Sequence, residues 1–206
     1  MILVSVTLVQ NFLVSKEFLE TIKILDGKPL HLEYHQERLN AVLKTSSRYK
    51  LDTLIKPPSN TLYRCRIVYD INEINIEYLE YNKRKVKSLK LLHNEAIVYD
   101  KKYLNRELLN SLFSQREECD DILIIKNGLV TDTSIANIAF FDGEKWFTPK
   151  QALLQGTCRA RYLAKGKLIE KDIKVEDIRR YKKIALMNAM IDFDIIALEN
   201  IEDIIC

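Results

Sequence analysis

The chain has 206 residues, of which 47% are hydrophobic and 30% charged, the composition of a globular protein large enough for one sizeable core or two small ones. A formal net charge of +3 is too small to argue for a nucleic-acid partner, and the basic run Lys83-Arg84-Lys85 reads as a solvated turn. No apolar stretch is long enough to span a bilayer, and the four cysteines (Cys65, Cys119, Cys158, Cys206) lack metal-ligand spacing, so neither a membrane span nor a metal site is expected, and a reducing cytoplasm is the expected compartment.

The apolar, β-branched start, Met1 to Val9, has no basic region before it and no small-residue cleavage site, which predicts a strand rather than a signal peptide. Glu17 to Leu30 reads as a hairpin turning at Asp26-Gly27. From His31 to about Lys44, Leu32, Leu39, Val42 and Leu43 fall at a helical period, with a polar gap at His35. Lys56 to Asn60 is a loop. Strands over Leu62–Tyr69 and Ile74–Tyr81 follow, joined by a turn at Asp70 to Glu73. The charged stretch Asn82 to Lys87 lacks apolar periodicity and sets a boundary between a small domain (1–85) and a larger one (86–206).

In the second part, Leu104, Leu108, Leu109, Leu112 and Phe113 predict a helix over Leu104–Phe113. Ile122 to Ile125 predicts a strand, Asn127-Gly128 a turn, and one strand then continues to Phe141. Asp142-Gly143 turns the chain into Trp146-Phe147. Gln155–Ala164 and Val175–Tyr181 are predicted helices, and Ile184–Met190 a buried strand. Strands clustered apart from helices indicate an α+β fold in two parts.

The richest segment runs from Gly128 to Arg159. A turn leads into a strand carrying the carboxylate of Asp132 and the amide of Asn137. A second turn and strand pass Thr148-Pro149 and end at Gly156-Thr157-Cys158-Arg159, a step that can open a helix. Such an arrangement can hold an anionic, nitrogen-containing ring at both ends. In order and spacing it resembles the signature of the class IV pyridoxal-phosphate enzymes, the family of branched-chain and D-amino acid aminotransferases and aminodeoxychorismate lyases. Four further matches occur in the family's order: Phe18-Leu19-Glu20-Thr21, His35-Gln36-Glu37-Arg38-Leu39, Lys102-Tyr103-Leu104-Asn105-Arg106 and Asn188-Ala189-Met190.

The resemblance implies a two-domain fold like that of D-amino acid aminotransferase, pyridoxal 5′-phosphate in the cleft, and a homodimer acting on a small-molecule amine or amino acid. Lys102 would carry the cofactor covalently and serve as general acid and base, with a pKa lowered by burial and nearby cations. Asp132 would meet the pyridine nitrogen. Arg38 would clamp the phosphate, helped by backbone N–H groups at Thr157 and Cys158 and by Asn188. Asn137 would line the cofactor site, and Arg106, one helical turn from Lys102, would face the ring oxygen or a substrate carboxylate. Apart from the resemblance, the alternation of Arg64 and Arg66 on one strand lets them meet substrate carboxylates from the small domain. Within the family, Lys102-x-Leu104-Asn105-Arg106, Asn188-Ala189-Met190 and the compact length tilt the expectation toward aminodeoxychorismate lyase over transamination with 2-oxoglutarate.

Two departures bear on this. Asp132 stands where the family usually has glutamate, one methylene longer, and the N-terminal part lacks segments that many relatives carry. These departures leave open a cofactor-binding protein with little turnover. Each residue also has a structural alternative. Arg38 can pair with Glu33 or Glu37, Asp132 can be an edge-strand charge, and Arg64 and Arg66 can face solvent. Cys158, at a helix start, can have a lowered pKa. His31, His35 and His93 show no catalytic partner and are expected to be structural.

Overall fold

The computed structural model describes residues 16–44, 48–196 and 204–205. The expected strand at Met1–Val9 lies outside the described residues. The architecture is α+β, with a four-stranded and an eight-stranded sheet and few helices. No helix among the described residues is long and apolar enough to cross a membrane.

The four-stranded sheet has the order β2-β1-β3-β4, all antiparallel. Strand β1 (Phe18–Leu25) turns back at Asp26-Gly27, both at positive φ (50° and 71°), which matches the twist of a two-residue hairpin. Its partner β2 is only Lys28–Pro29, because proline has no N–H to continue the ladder. Helix α1 (Leu32–Leu43) buries His35, Leu39 and Leu43, an i, i+4, i+8 stripe, so the apparent polar gap belongs to the buried face. A single unforeseen turn, α2 (Leu51–Leu54), precedes β3 (Tyr63–Tyr69) and β4 (Ile74–Glu80). In β3 the period-two alternation sends Cys65, Ile67 and Tyr69 into the core with Ile22, Ile24 and Leu39. Arg64 and Arg66 point to the other face and line the cavity described below.

The eight-stranded sheet runs β10-β9-β8-β7-β6-β5, with β11 beside β8 and β12 beside β11. Strands β5 (Leu89–His93) and β6 (Asp121–Lys126) are parallel, joined through α3 (Glu107–Ser114). β6 reads as a continuous apolar run because both of its faces are covered. Leu123 and Ile125 pack with Phe140 and Ile184, while Ile122 and Ile124 pack with Leu109 and Leu112.

Two expectations change here. The helix begins at Glu107, not Leu104, because the preceding residues pair with β1. Leu19 N–H donates to the Lys102 carbonyl (2.8 Å), and Leu104 N–H donates to the Glu17 carbonyl (3.0 Å). Arg106 is therefore not one helical turn from Lys102. The strand expected to run on to Phe141 is broken into β7 (Leu129–Thr133) and β8 (Asn137–Phe141). Thr133 closes the break: its N–H donates to the Ala136 carbonyl (2.9 Å), and its hydroxyl oxygen accepts from Ala136 N–H (3.1 Å). That turn sets Asp132 opposite Asn137 in the ladder.

The remaining elements are β9 (Trp146–Pro149), α4 (Thr157–Ala164), β10 (Ile169–Lys171), β11 (Lys183–Asn188) and β12 (Asp192–Ile195). The helix expected at Val175–Tyr181 is a 3₁₀ helix over Val175–Arg180, and β5, β10 and β12 were not apparent in the sequence.

Candidate active site

A cavity of about 390 Å³ opens between the two sheets. Its wall brings together most of the residues singled out from the sequence: Arg38, Arg64, Arg66, Lys102, Arg106, Asp132, Asn137, Thr157 and Asn188. Cys158 is not part of it.

Lys102 sits where the segment before α3 crosses β1, its backbone fixed by the Leu19 N–H. Burial and the charge of Arg38 lower its pKa to about 7; Glu20 opposes the shift and Arg106 adds to it. A lysine in this state is largely able to give and take a proton near neutrality.

Arg38 does not pair with Glu33 or Glu37. Its Nε and Nη2 donate to the two carboxylate oxygens of Glu20 (2.7 and 2.6 Å), and Nη1 is 3.5 Å from the Gln155 carbonyl. Glu20, fully buried on β1, also bonds His35 Nδ1 (2.6 Å). Burial alone would raise the Glu20 pKa, but the Arg38 charge and the two side-chain donors outweigh it and hold it at about 2. This bidentate pair fixes the guanidinium with Nη1 as its remaining edge. Glu20 and His35 were missed as a unit. The signal was present, since His35 and Arg38 are three apart on one helix face, beside a strand whose single acid is Glu20.

At the other end, Asp132 is buried with both oxygens engaged: Asn137 Nδ2 donates to Oδ1 (2.8 Å) and Leu154 N–H to Oδ2 (2.9 Å). Burial raises its pKa to about 6, partly opposed by these donors and by Arg159. It is a core carboxylate and not an edge-strand charge. Asn137 also donates to the Leu154 carbonyl (2.9 Å), so it clamps the carboxylate to the segment leading into α4. Gly156 makes that clamp possible, since a Cβ there would lie 2.0 Å from Asn137 Oδ1.

Gly156 also precedes the first turn of α4, which has no side-chain cap, so Thr157 brings uncapped backbone donors to the wall. Cys158 turns away into a core with Ala139, Leu168 and Met187. Burial pushes its thiol up to about 12, the reverse of the helix-terminus expectation. Arg106 donates to the Ser134 carbonyl (2.7 Å), bracing the β7–β8 turn. Asn188 accepts from Met190 and Ile191 N–H (2.9 and 3.0 Å) and lies 3.3 Å from the Ile135 carbonyl, so its side chain shapes the turn at the cavity floor. Arg66 pairs with Glu77 (2.8 Å), while Arg64 is exposed.

Arg84 was also missed. The basic run that read as a solvated turn places it at the cavity mouth, with its guanidinium over the Phe113 ring (4.8 Å). The wall thus holds five arginines and one lysine against a single carboxylate, Asp132. Such a surface suits a ligand with several negative charges.

The model of the family described as amino-transferase class IV matches residues 66–196. A Haemophilus influenzae protein of no assigned activity is 39% identical over 180 residues, covering 83% of this chain and 96% of its own. A Schizosaccharomyces pombe protein, provisionally assigned as an aminodeoxychorismate lyase, is 30% identical over 89 residues, 40% of this chain and 38% of its own. Among solved structures, a provisionally assigned 4-amino-4-deoxychorismate lyase from Haemophilus somnus 129PT superposes with a TM-score of 0.75 at 36% identity, covering 85% of this chain and 96% of that one. The Escherichia coli branched-chain amino acid aminotransferase shares the fold with a TM-score of 0.71 at 13% identity, over 93% and 80% of the two chains.

Proposed function

The chain belongs to the class IV aminotransferase family, and from that premise we propose that it binds pyridoxal 5′-phosphate between its sheets and acts as a 4-amino-4-deoxychorismate lyase. The observation that carries the reading is Lys102, poised near neutrality in the wall of a cationic cavity that also contains a buried carboxylate. The donor set fits the cofactor. Arg38 Nη1 and the uncapped start of α4 offer donors to a phosphate, Lys102 offers an amine to an aldehyde, and Asp132 offers a carboxylate to a ring nitrogen.

Bound there, pyridoxal phosphate supplies an electron sink for the charge left when a proton departs from the substrate's amine-bearing carbon. Lys102 takes that proton with its neutral amine. The carbon–oxygen bond to the enolpyruvyl group then breaks, the ring becomes aromatic as 4-aminobenzoate, and the departing enolate gains a proton to become pyruvate. Asn137 and Leu154 hold Asp132 in place throughout, so the carboxylate needs no reorientation as charge develops. Arg64 and Arg66 face the cavity from β3 and attract a carboxylate-bearing substrate. This acidic substrate suits the wall better than a branched-chain amino acid, which offers one carboxylate and an apolar side chain.

The H. somnus and S. pombe relatives support the same reading by their assigned names. The test is direct. The protein is loaded with pyridoxal phosphate, reduced with borohydride and mapped by peptide mass, for wild type and Lys102→Ala. An adduct on Lys102, absent from the variant, is expected, together with pyruvate release from aminodeoxychorismate. Glutamate production from 2-oxoglutarate and an amino donor, without pyruvate release, would replace the lyase reading with transamination.

A further inference from the structure

Arg84 has no part in the chemistry above, yet its setting is built. It lies in the segment joining the two sheets, beside Tyr81 and Asn82 at the cavity mouth. The guanidinium lies over Phe113, and its Nη2 donates to the Asp120 carbonyl and sits 3.4 Å from Asp121 Oδ2. Asp121 is fully buried; its Oδ1 accepts from Ile122 N–H (2.8 Å) and its Oδ2 has no hydrogen-bond partner. Lys87 N–H donates to the Asp120 carboxylate (2.7 Å), so the segment is tied to the start of β6 on both sides of Val86. Stacking and anchoring remove most of the rotamer freedom that an exposed arginine would lose on binding a ligand. The side chain nonetheless keeps 39% of its surface accessible, and the residue lines the cavity.

Resting on the proposed reading of the site, we infer that Arg84 is a specificity-determining residue that binds the second carboxylate of a dicarboxylate substrate whose first carboxylate is met by Arg64 and Arg66. Glu77 pairs with Arg66 and Asp121 lies 3.4 Å from Arg84, while no carboxylate among the described residues pairs with Arg64. With Arg38 held by Glu20, Arg106 engaged at the Ser134 carbonyl and Lys102 reserved for the cofactor, the wall offers a substrate cationic groups on β3 and on the joining segment. Aminodeoxychorismate carries one carboxylate on its ring and one on its enolpyruvyl group. Cleavage separates them, so neither product can span both positions, and two-point binding favours substrate over product.

The test uses the pyridoxal-phosphate-loaded protein and titration calorimetry with chorismate, which has both carboxylates but a hydroxyl in place of the reactive amine. 4-Aminobenzoate, with one carboxylate, is the control ligand. Asp121→Asn, which keeps Arg84, is expected to bind chorismate as wild type does. Arg84→Gln in the Asp121→Asn background, which avoids orphaning the buried acid, is expected to lose at least tenfold in chorismate affinity and less than threefold for 4-aminobenzoate. Arg84→Lys, with the charge but not the fork, should fall between, and it serves if the double variant does not fold. Chorismate binding unchanged by loss of Arg84, or equal losses for both ligands, would overturn the inference. If wild type binds 2-oxoglutarate but not chorismate, and Arg84→Lys weakens that binding, the lyase reading falls while the role of Arg84 stands. If wild type binds neither dicarboxylate, the inference on Arg84 is wrong.

Discussion

Arg38 and Glu20 form a two-point ion pair across α1 and β1, with both carboxylate oxygens engaged and His35 as a third donor. The arginine aimed at the cavity is thus held by a carboxylate outside it. Glu20→Ala would leave Arg38 and His35 without their shared partner, at a cost of roughly 3 kcal/mol. Urea unfolding should show this, together with weaker cofactor binding, whereas a cofactor affinity equal to wild type would mean that Arg38 needs no such support.

The same pair sets an acid limit on stability. The Glu20 pKa is held at about 2, below the ordinary glutamate value of 4.5, so the folded chain gives up this proton more readily than the unfolded chain. The contribution is fully present above pH 4.5 and is lost as pH falls toward 2, amounting to about 3 kcal/mol at 1.36 kcal/mol per unit. Glu20→Gln should flatten the stability curve across that window.

Lys102 should react as a neutral amine at unusually low pH. Reductive methylation of the cofactor-free protein, followed by peptide mass mapping, is expected to give a half-reaction point near pH 7 at Lys102. Arg106→Gln removes one of the cations that lower its pKa and should move that point upward. A downward move would show that bracing the Ser134 carbonyl, and not charge, is the main effect of Arg106.

Asp132 behaves oppositely to Glu20. Burial raises its pKa from 3.8 to about 6, so its contribution to stability is present below pH 3.8 and is lost as pH rises through 6. The two-unit difference corresponds to about 3 kcal/mol. Asp132→Asn should abolish this pH dependence in urea titrations at pH 4 and pH 7. It should also lower turnover by on the order of a hundredfold by removing the carboxylate from the ring nitrogen.

Gly156→Ala should cost about 1–3 kcal/mol through a clash with Asn137, even though the glycine backbone (φ −70°) suits any residue. Combined with Asn137→Ala the clash disappears, so a double-mutant cycle should give a strong favourable coupling. Additive effects in that cycle would place the strain elsewhere.

Much of this molecule was legible in the chain itself. The Asp26-Gly27 hairpin, the apolar stripe of α1 and the run Ile122–Ile125 follow from local periodicity and turn chemistry, which act within a few residues. The resemblance motifs supplied family and fold, and nine of the ten residues singled out in the sequence line one cavity. Tertiary structure decided the rest, because those outcomes depend on contacts remote in sequence. Lys102 to Arg106 stays out of the helix because β1 captures the backbone of Lys102 and Leu104, and one strand becomes two because Thr133 and Ala136 close a turn. Cys158 loses any thiolate character because its side chain faces the core, and Glu20 gains its role from a helix fifteen to eighteen positions away. A basic triplet read alone is a solvated turn. Only the fold puts Phe113 and Asp121 beside Arg84 and turns one of its charges toward the cavity.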